Sequence, residues 1–391
     1  MSERIAILGT SVLAHKLALE FQARRGRHAE LCGVITESRD VELPFDCRRL
    51  GALSELKQIL SKQQLDRVIV ATDEQYGQLG AELLVEMQAI RDLEVETGLD
   101  AYERLTGKLA IESLTANSVL FSSTFRPSRA ARWFARSFSW VVAAIGTIVF
   151  LPVMAILALC IRLDSPGPVL FVQERVGLGG RRFKLLKFRS MRAATDPHSE
   201  WAADNESRIT RAGRWLRKFR LDELPQFMNV LRGDMNLVGP RPHPDSNRRL
   251  FILVSRNTPE CGEQIPYYSL RSSIRPGITG WAQVRYKYAN GLDEEIEKLR
   301  YDLYYIKHYS IWLDMRILFE TVKVVLLGHR RLEQAVKAVP AMDDGAQPSP
   351  PSQPLLPGLA AALQASDLAT PLPPPHRPDV SAGNRLGSGL H

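Results

Sequence analysis

The sequence predicts an α/β chain in two parts, a small parallel α/β domain at the N-terminus and a membrane-associated α+β domain built around an apolar helix. Three observations lead there. Strand-like runs at residues 4–9 (RIAILG), Glu30–Thr36 and Arg67–Thr72 alternate with stretches of helical periodicity, the pattern of a parallel sheet with crossover helices. Phe138–Ile161 holds 24 residues without a charge, where a membrane span needs about 20. Finally, Arg217–Pro242 (RKFRLDELPQFMNVLRGDMNLVGPRP) sets an adjacent acidic pair, Asp222-Glu223, among cations. Carboxylates and arginines beside a membrane segment point to phosphate chemistry at a lipid surface.

The bulk properties agree. At 391 residues two or three domains are expected. Fifty-one basic against 43 acidic residues give a net charge of +8, which favours anionic partners such as phospholipid headgroups, nucleotides or nucleic acid. Cys32, Cys47, Cys160 and Cys261 are scattered with no CxxC pair, so neither a zinc knuckle nor a disulfide framework is indicated and reduced thiols are expected. MSERIAILGTS lacks the basic and apolar regions of a signal peptide.

In the first domain, the run at 4–9 ends in a turn, SVLAHKLALEFQARR continues as a helix, and a second helical stretch lies around Leu53–Leu60. A dinucleotide fingerprint needs GxGxxG after the first strand, its second glycine admitting the pyrophosphate. Here the turn reads Gly9-Thr10-Ser11-Val12-Leu13-Ala14, with Ser11 at that second position. The expectation is a Rossmann-like domain that binds no dinucleotide, with a degenerate nucleotide or CoA-type site left open.

Arg126, Arg129, Arg132 and Arg136 then fall on one helical face. Alone they read as a solvated basic face. With Trp133, Phe134 and Phe138 beside them and the apolar run following, they read better as a juxtamembrane patch on anionic lipid. Pro152 interrupts that run, and Arg162, Arg175, Arg181, Arg182 and Lys184 follow it. Basic flanks on both sides place both ends in the cytoplasm. A helix broken at Pro152 that enters one leaflet and returns satisfies this, provided the break is satisfied locally. Ile311–Gly328 is an apolar helix with Arg316, Glu320 and Lys323 in one stripe, either a core helix or one lying flat on the bilayer. Eleven of the 24 prolines fall in the last 52 residues, so a disordered tail is expected over residues 331–391.

Several residues could do chemistry. Phe183–Met191 (FKLLKFRSM) reads as a strand that sends Lys187 and Arg189 to one face, where two cations suit a diphosphate. A solvated strand face is the plainer alternative. Arg208, Arg211, Arg214 and Arg217 recur every three residues. That ridge suits nucleic acid, but the interleaved Trp215 and Phe219 favour a membrane surface. Asp222-Glu223-Leu224-Pro225 resembles a helix start with Asp222 as N-cap. The same carboxylate near Arg217 would stay ionised as a nucleophile, and its neighbour could hold Mg²⁺ with substrate phosphates. Arg241 sits between two prolines in Val238–Pro242, RPGITGWAQV (Arg275–Val284) is a Gly/Pro turn entering a strand, and Asp302 lies among tyrosines.

From Ser137 to Arg330 these motifs resemble the bacterial sugar transferases, the monotopic polyprenyl-phosphate phosphoglycosyl transferases. The resemblance rests on LDSPGPVLFVQERVG, FKLLKFRSM, LDELPQFMNVLRGDMNLVGPRP, RPGITGWAQV and YDLYYIKHYSIWLD in that order. YERLTGKLAIESL (Tyr102–Leu114) looks like the longer exopolysaccharide, exosortase-associated members. The resemblance implies a Rossmann-like domain over 1–125, a basic juxtamembrane segment at 126–136, and a catalytic domain over 137–330 with a re-entrant membrane helix at 138–161. It also implies a place at the cytoplasmic face of the bacterial inner membrane. Asp222 would attack the β-phosphate of a UDP-sugar and release UMP, and a polyprenyl phosphate (undecaprenyl phosphate) would then take the phosphosugar from the aspartyl intermediate, initiating exopolysaccharide synthesis. Glu223 would be the Mg²⁺ ligand, Lys187, Arg217 and Arg241 would contact phosphate and nucleotide, and Asp302 would be a further active-site acid. Leu151 departs from the serine that commonly precedes the breaking proline. Membrane lipids are expected partners, nucleic acid is not, and a homodimer is left open, as are the sugar and the acceptor length. The competing reading is a non-catalytic membrane-associated assembly or regulatory protein that binds nucleotide-sugar or lipid.

Overall fold

The computed structural model describes residues 3–24, 29–36, 47–72, 87, 90, 93–111, 114, 125–192, 208–244, 267–286 and 292–327. The Pro-rich tail and Cys261 lie outside them. The chain is α/β, with one parallel sheet and one long apolar helix.

The sheet has five parallel strands in the order β3-β2-β1-β4-β5: β1 (Glu3–Leu8), β2 (Ala29–Thr36), β3 (Arg49–Ala52), β4 (Arg67–Val70) and β5 (Glu94–Thr97). β3 and β5 were not anticipated. They are four residues long, and β5 (EVET) lacks the apolar run that marks a buried strand. α1 (Val12–Ala23), α2 (Leu56–Gln63) and α3 (Gly98–Thr106) pack on the sheet. At the β1–α1 turn, Ser11 Oγ accepts from Ala14 N at 3.1 Å, capping α1, and donates to Ala71 O at 2.7 Å. Gly9 has φ +115°, and a Cβ there would lie 2.4 Å from Ala71 O. Ser11 therefore closes this turn onto the end of β4, where the fingerprint's second glycine would have left room.

Leu109, Ile111 and Phe125, from the connecting segment, join the core of the second part with Leu237, Val238, Trp281, Leu303, Tyr305 and Ile317. Glu103 of α3, buried, bonds Lys307 Nζ at 2.8 Å and His308 Nε2 at 2.7 Å.

α4 (Arg129–Asp164) is one helix of 36 residues. The expected interruption at Pro152 is not seen, because helical conformation continues through it. Arg126 precedes the helix, so the basic face starts at Arg129, and Arg136 turns inward rather than out to solvent. The expected ridge of arginines is also shorter. α5 spans Arg211–Lys218, Thr210 caps it, and Arg208 lies outside with its guanidinium on Arg192 O. The antiparallel pair β6 (Leu170–Val176) and β7 (Arg182–Phe188), helix α6 (Gln226–Arg232), and the parallel pair β8 (Asn236–Val238) and β9 (Gly277–Thr279) follow. RPGITGWAQV does not continue as a strand. After three strand residues, Gly280 turns the chain into α7 (Trp281–Arg285), letting Trp281 reach the core and donate Nε1–H to Gly107 O. α8 (Leu292–Lys307) and α9 (Ile311–Leu327) complete the fold.

α9 packs one face into the core and exposes apolar residues on the other. Asp314, Ile317 and Val324 are buried, while Trp312, Phe319, Val322 and Leu326 are exposed. α4 likewise exposes Val141, Ile145, Ile148, Leu151, Ile156, Leu159 and Leu163, an apolar surface too extensive for water. Among the described residues it is the one helix long and apolar enough to cross a membrane, and it marks the chain as membrane-associated.

Asp314 accepts a 2.7 Å hydrogen bond from Tyr305 Oη, and burial pushes its carboxyl up to about 7 against that bond. The folded chain thus holds this proton more tightly than the unfolded chain. Stability should fall as pH rises from the ordinary carboxylate value, about 4, to about 7, with the loss complete above that. Asp314→Asn keeps an acceptor for Tyr305 and removes the titration. Melting temperatures measured between pH 4 and 8 should flatten in the variant, and an unchanged slope would reject the assignment.

Candidate active site

The site forms where β7, the turn after α5 and the loop after β8 converge. Arg220 adopts left-handed geometry (φ +54°), which ends α5 and starts a 3₁₀ turn over Leu221–Glu223. Pro225 then begins α6 without a side-chain cap. Asp222 is therefore not the helix N-cap, since the 3₁₀ turn separates it from α6 and its carboxylate is left for other work.

Glu223 is buried and accepts from Arg241 Nη1 at 3.1 Å, with Arg220 Nη1 at 3.9 Å. Burial raises its carboxyl, but Arg241, Lys187 and Arg220 outweigh that and hold it below its ordinary value. Asp222 moves the other way. Burial and the adjacent Glu223 charge raise it, against Lys187, Arg241 and Arg217. The expectation that this carboxylate stays ionised near Arg217 counted the cation and left out the opposing burial and the Glu223 charge. Lys187, half-buried on β7, is pushed down to about 8 by burial and by Arg241, although both carboxylates oppose this.

Arg241 is held from three sides. Its Nη1 donates to Gln283 Oε1 at 2.8 Å as well as to Glu223, and its carbonyl accepts from Arg271 Nη2 at 3.2 Å. Arg220 Nη1 shares Gln283 Oε1 at 3.2 Å, and Gln283 Nε2 donates to Ile278 O. The loop can approach α7 this closely because Gly239 and Gly277 face each other. A Cβ on Gly277 would lie 2.1 Å from Gly239 N.

Five of the seven expected site residues come together here: Lys187, Arg217, Asp222, Glu223 and Arg241. The other two are placed differently. Arg189 lies one residue past the end of β7, so strand alternation no longer governs it. Its guanidinium donates to Pro166 O at 2.9 Å, Ser165 O at 2.6 Å and Ser165 Oγ at 3.0 Å, closing the C-terminal end of α4. Asp302, fully buried, pairs with Arg271 Nη2 at 2.7 Å. It reaches the site through Arg271 and the Arg241 carbonyl, in a cluster where His243 Nδ1 lies 2.7 Å from Tyr268 Oη. Burial, with Arg271 adding to it, holds His243 well below its usual value. Sequence reasoning missed Gln283 and Arg271. Gln283 is the one polar side chain of the WAQV segment, which was noted only as a pocket wall. Arg271 carries no local signal.

Among the described residues no group of three or more His, Cys, Asp or Glu could hold a metal. Mg²⁺ commonly takes one or two protein carboxylates and completes its shell with phosphate oxygens and water. Asp222 and Glu223 would be the carboxylates for such an ion, Glu223 already accepting from Arg241 Nη1 at 3.1 Å.

The profile of the family described as Bacterial sugar transferase matches residues 130–328. The chain belongs to the bacterial sugar transferase family. It is 42% identical over 227 residues to a UDP-N-acetylgalactosamine-undecaprenyl-phosphate N-acetylgalactosaminephosphotransferase of Aeromonas hydrophila, covering 58% of this chain and 51% of that protein. It is 44% identical over 191 residues to a UDP-glucose:undecaprenyl-phosphate glucose-1-phosphate transferase of Caulobacter vibrioides, covering 48% and 67%. With the exopolysaccharide production protein PSS of Rhizobium leguminosarum it shares 42% identity over 193 residues, covering 48% and 92%. The chain thus spans about half the length of the Aeromonas relative.

The charge on Lys187 is present below about 8 and lost above it. For turnover of a diphosphate substrate, kcat/KM should fall on the alkaline side with a limb near that value, because this ratio reports the free protein. Lys187→Arg, which stays charged, should move the limb upward by at least a unit. An unmoved limb would mean another group titrates there.

Proposed function

We propose that this protein transfers a sugar-1-phosphate from a UDP-sugar to undecaprenyl phosphate through a covalent intermediate on Asp222. The observation that carries the reading is the Asp222-Glu223 pair, the first half-buried and the second buried, among the charges of Lys187, Arg217 and Arg241, in a chain whose relatives are named for this class of reaction.

In the first step an Asp222 carboxylate oxygen bonds to the β-phosphorus. The bond from that phosphorus to the bridging oxygen breaks, and the bridging oxygen leaves with the electron pair on UMP. In the second, a phosphate oxygen of the polyprenyl phosphate attacks the same phosphorus, which releases Asp222 and yields a polyprenyl diphosphosugar. Splitting the transfer lets two bulky anionic substrates use one site in turn. Burial strips water from the Asp222 carboxylate, and the three cations lower the repulsion between it and the diphosphate. Glu223 fixes Arg241 in place. Mg²⁺, held by Glu223 with Asp222 beside it, would supply further neutralisation of phosphate charge.

We assign the chain to the cytoplasmic face of the inner membrane, with α4 dipping into one leaflet and returning, and the five-stranded domain to the Rossmann-like class. The contacts of α4 support the first assignment, because both ends touch the same domain. Arg136, Ser139 and Ala143 lie against α6 and β8, while Ile161 packs on Phe188 and Leu216 and Asp164 Oδ2 accepts from Ala212 N. A spanning helix would separate its ends by the roughly 30 Å hydrocarbon core. The parallel strand order, with β1 at the centre, supports the second.

Two experiments test these readings. UMP release by the detergent-solubilised protein, given single UDP-sugars, Mg²⁺ and undecaprenyl phosphate, should fall by at least 10³-fold in Asp222→Asn, a loss typical of removing a nucleophile. In Glu223→Gln, rate and Mg²⁺ dependence should weaken together. Turnover surviving in Asp222→Asn would remove the nucleophile, and no UMP from a broad donor panel would favour the non-catalytic assembly role. For topology, cysteines at Arg126 and Arg181, both exposed, should react with an impermeant maleimide from the cytoplasmic side alone. Labelling from opposite sides would make α4 a span.

A further inference from the structure

A cavity of about 340 Å³, walled by apolar side chains including Leu178 and Ile274 and bordered by arginines, opens beside the N-terminal end of α4. Arg129, Arg132, Trp133 and Arg136 of α4 line it, together with Asn236 of β8, Arg275 and Tyr309. The dyad adjoins the N-terminal end of α6, whereas this cavity adjoins the C-terminal end, where Arg136 bonds the carbonyls of Val230, Leu231 and Met235. The seven-residue helix places them about 10 Å apart along its axis.

Its chemistry is one-sided. Four guanidiniums line it, and among the described residues that bound it there is no carboxylate. Arg275 adds to burial in lowering Arg136, with Asp234, behind the lining, opposing both. Arg136 is committed to backbone carbonyls, and Arg275 gives Nε to Gly233 O at 3.1 Å, which leaves its terminal nitrogens to face a ligand. Arg129 and Arg132 are exposed. Such a cluster is stabilised by an anion, and planar guanidiniums suit phosphate oxygens. A further feature narrows the ligand. Asn236 is 5% exposed, and its Oδ1 has no hydrogen-bond partner among the described residues. That oxygen is closed to solvent in this structure, so a donor meets it once the Asn236 side chain turns toward the cavity; a headgroup hydroxyl supplies one, a fully ionised phosphate does not, and an ammonium donor would meet four like charges. Position completes the argument. The charge-free run of α4 begins two residues after Arg136, and Trp133 is exposed at the rim, where aromatic rings mark the headgroup level.

We propose that this cavity is a binding site for the headgroup of an anionic, hydroxyl-bearing phospholipid of the phosphatidylglycerol type. The arginines take the phosphate, Asn236 accepts from the glycerol hydroxyl, and the acyl chains run along the exposed face of α4. The site fixes the depth of α4 in the leaflet by a discrete contact rather than by diffuse attraction. It rests on membrane association alone and stands or falls independently of the reaction assigned to Asp222.

The test is titration of the full chain in neutral detergent with dihexanoyl phosphatidylglycerol, dihexanoyl phosphatidylcholine, inorganic phosphate and farnesyl phosphate, read by Trp fluorescence and thermal shift. Phosphatidylglycerol should saturate and bind at least tenfold more tightly than the other three. Arg132→Gln, an exposed position that should fold normally, and Arg275→Gln should each weaken it at least tenfold, while Arg214→Gln, removing the same charge elsewhere, should not. The melting temperature of each ligand-free variant checks its folding, and Arg132→Gln keeps the test valid if Arg275→Gln fails to fold. Equal binding of inorganic phosphate or phosphatidylcholine would overturn the headgroup assignment. Equal losses in all three variants would reduce the site to a diffuse surface charge. Tighter binding of farnesyl phosphate, lost in Arg132→Gln, would make the cavity part of the acceptor's path and overturn its separateness.

Discussion

Arg136 ties the membrane helix to the reaction centre. Its guanidinium leaves the face of α4 and donates to Val230 O at 2.5 Å and Leu231 O at 3.3 Å in the last turn of α6, and to Met235 O at 3.2 Å just before β8. The last carbonyls of a helix lack the full set of intrahelical partners, Val230 O being shared with Gly233 N at 3.1 Å, and a cation there also complements the helix dipole. Charge-assisted bonds of this kind contribute about 1.5–3 kcal/mol each, and leaving a buried acceptor unpaired costs a similar amount. Gly146 continues the seam. A Cβ there would stand 3.0 Å from the Phe227 ring, and Phe150 stacks on the same ring one turn further along. The carboxylate pair, immediately before α6, is therefore tied in position to α4 through these contacts.

Against that frame the two carboxylates are driven apart in acidity although they are neighbours in the chain. Glu223 points at Arg241 and Arg220 and is held ionised. Asp222, without such a direct ion pair, bears the burial and its neighbour's charge, and rises. Divergence between adjacent acids in one pocket separates a structural charge from a reactive one. Gln283 keeps the arrangement from collapsing into a simple salt bridge, because it shares Arg241 with Glu223 and brings Arg220 to the same oxygen.

The site residues that were legible in the sequence share one property, which is that short-range pattern decides their direction. Lys187 lies inside β7, so alternation held. Asp222, Glu223 and Arg241 sit in segments rigid enough, through the 3₁₀ turn and the paired prolines, to be read locally. The failures occur where an element ends or where a distant segment decides. Arg189 shares the alternation of Lys187 on paper, but the strand stops at Phe188 and the carbonyls ending α4 capture the side chain. Arg271 meets Asp302 across 31 positions, and no local pattern encodes that meeting. In the first domain the long apolar strands were legible, whereas β3 and β5 owe their existence to pairing with β2 and β4.

Pro152 shows how a correct chemical premise can lead to the wrong local geometry. Proline removes a donor and crowds the preceding turn, so a break was expected. In α4 the turns on either side are held from outside. Phe150 stacks on Phe227, and Met154, Leu157 and Ala158 pack against the cluster of Ile161, Phe188 and Leu216. With both flanks clamped to one domain, the chain tolerates the lost hydrogen bond without leaving helical conformation. Leu151, exposed just before this proline, faces outward with the apolar surface. What holds α4 to one domain is the anchoring of its two ends, Arg136 on α6 and Arg189 on the carbonyls that end the helix.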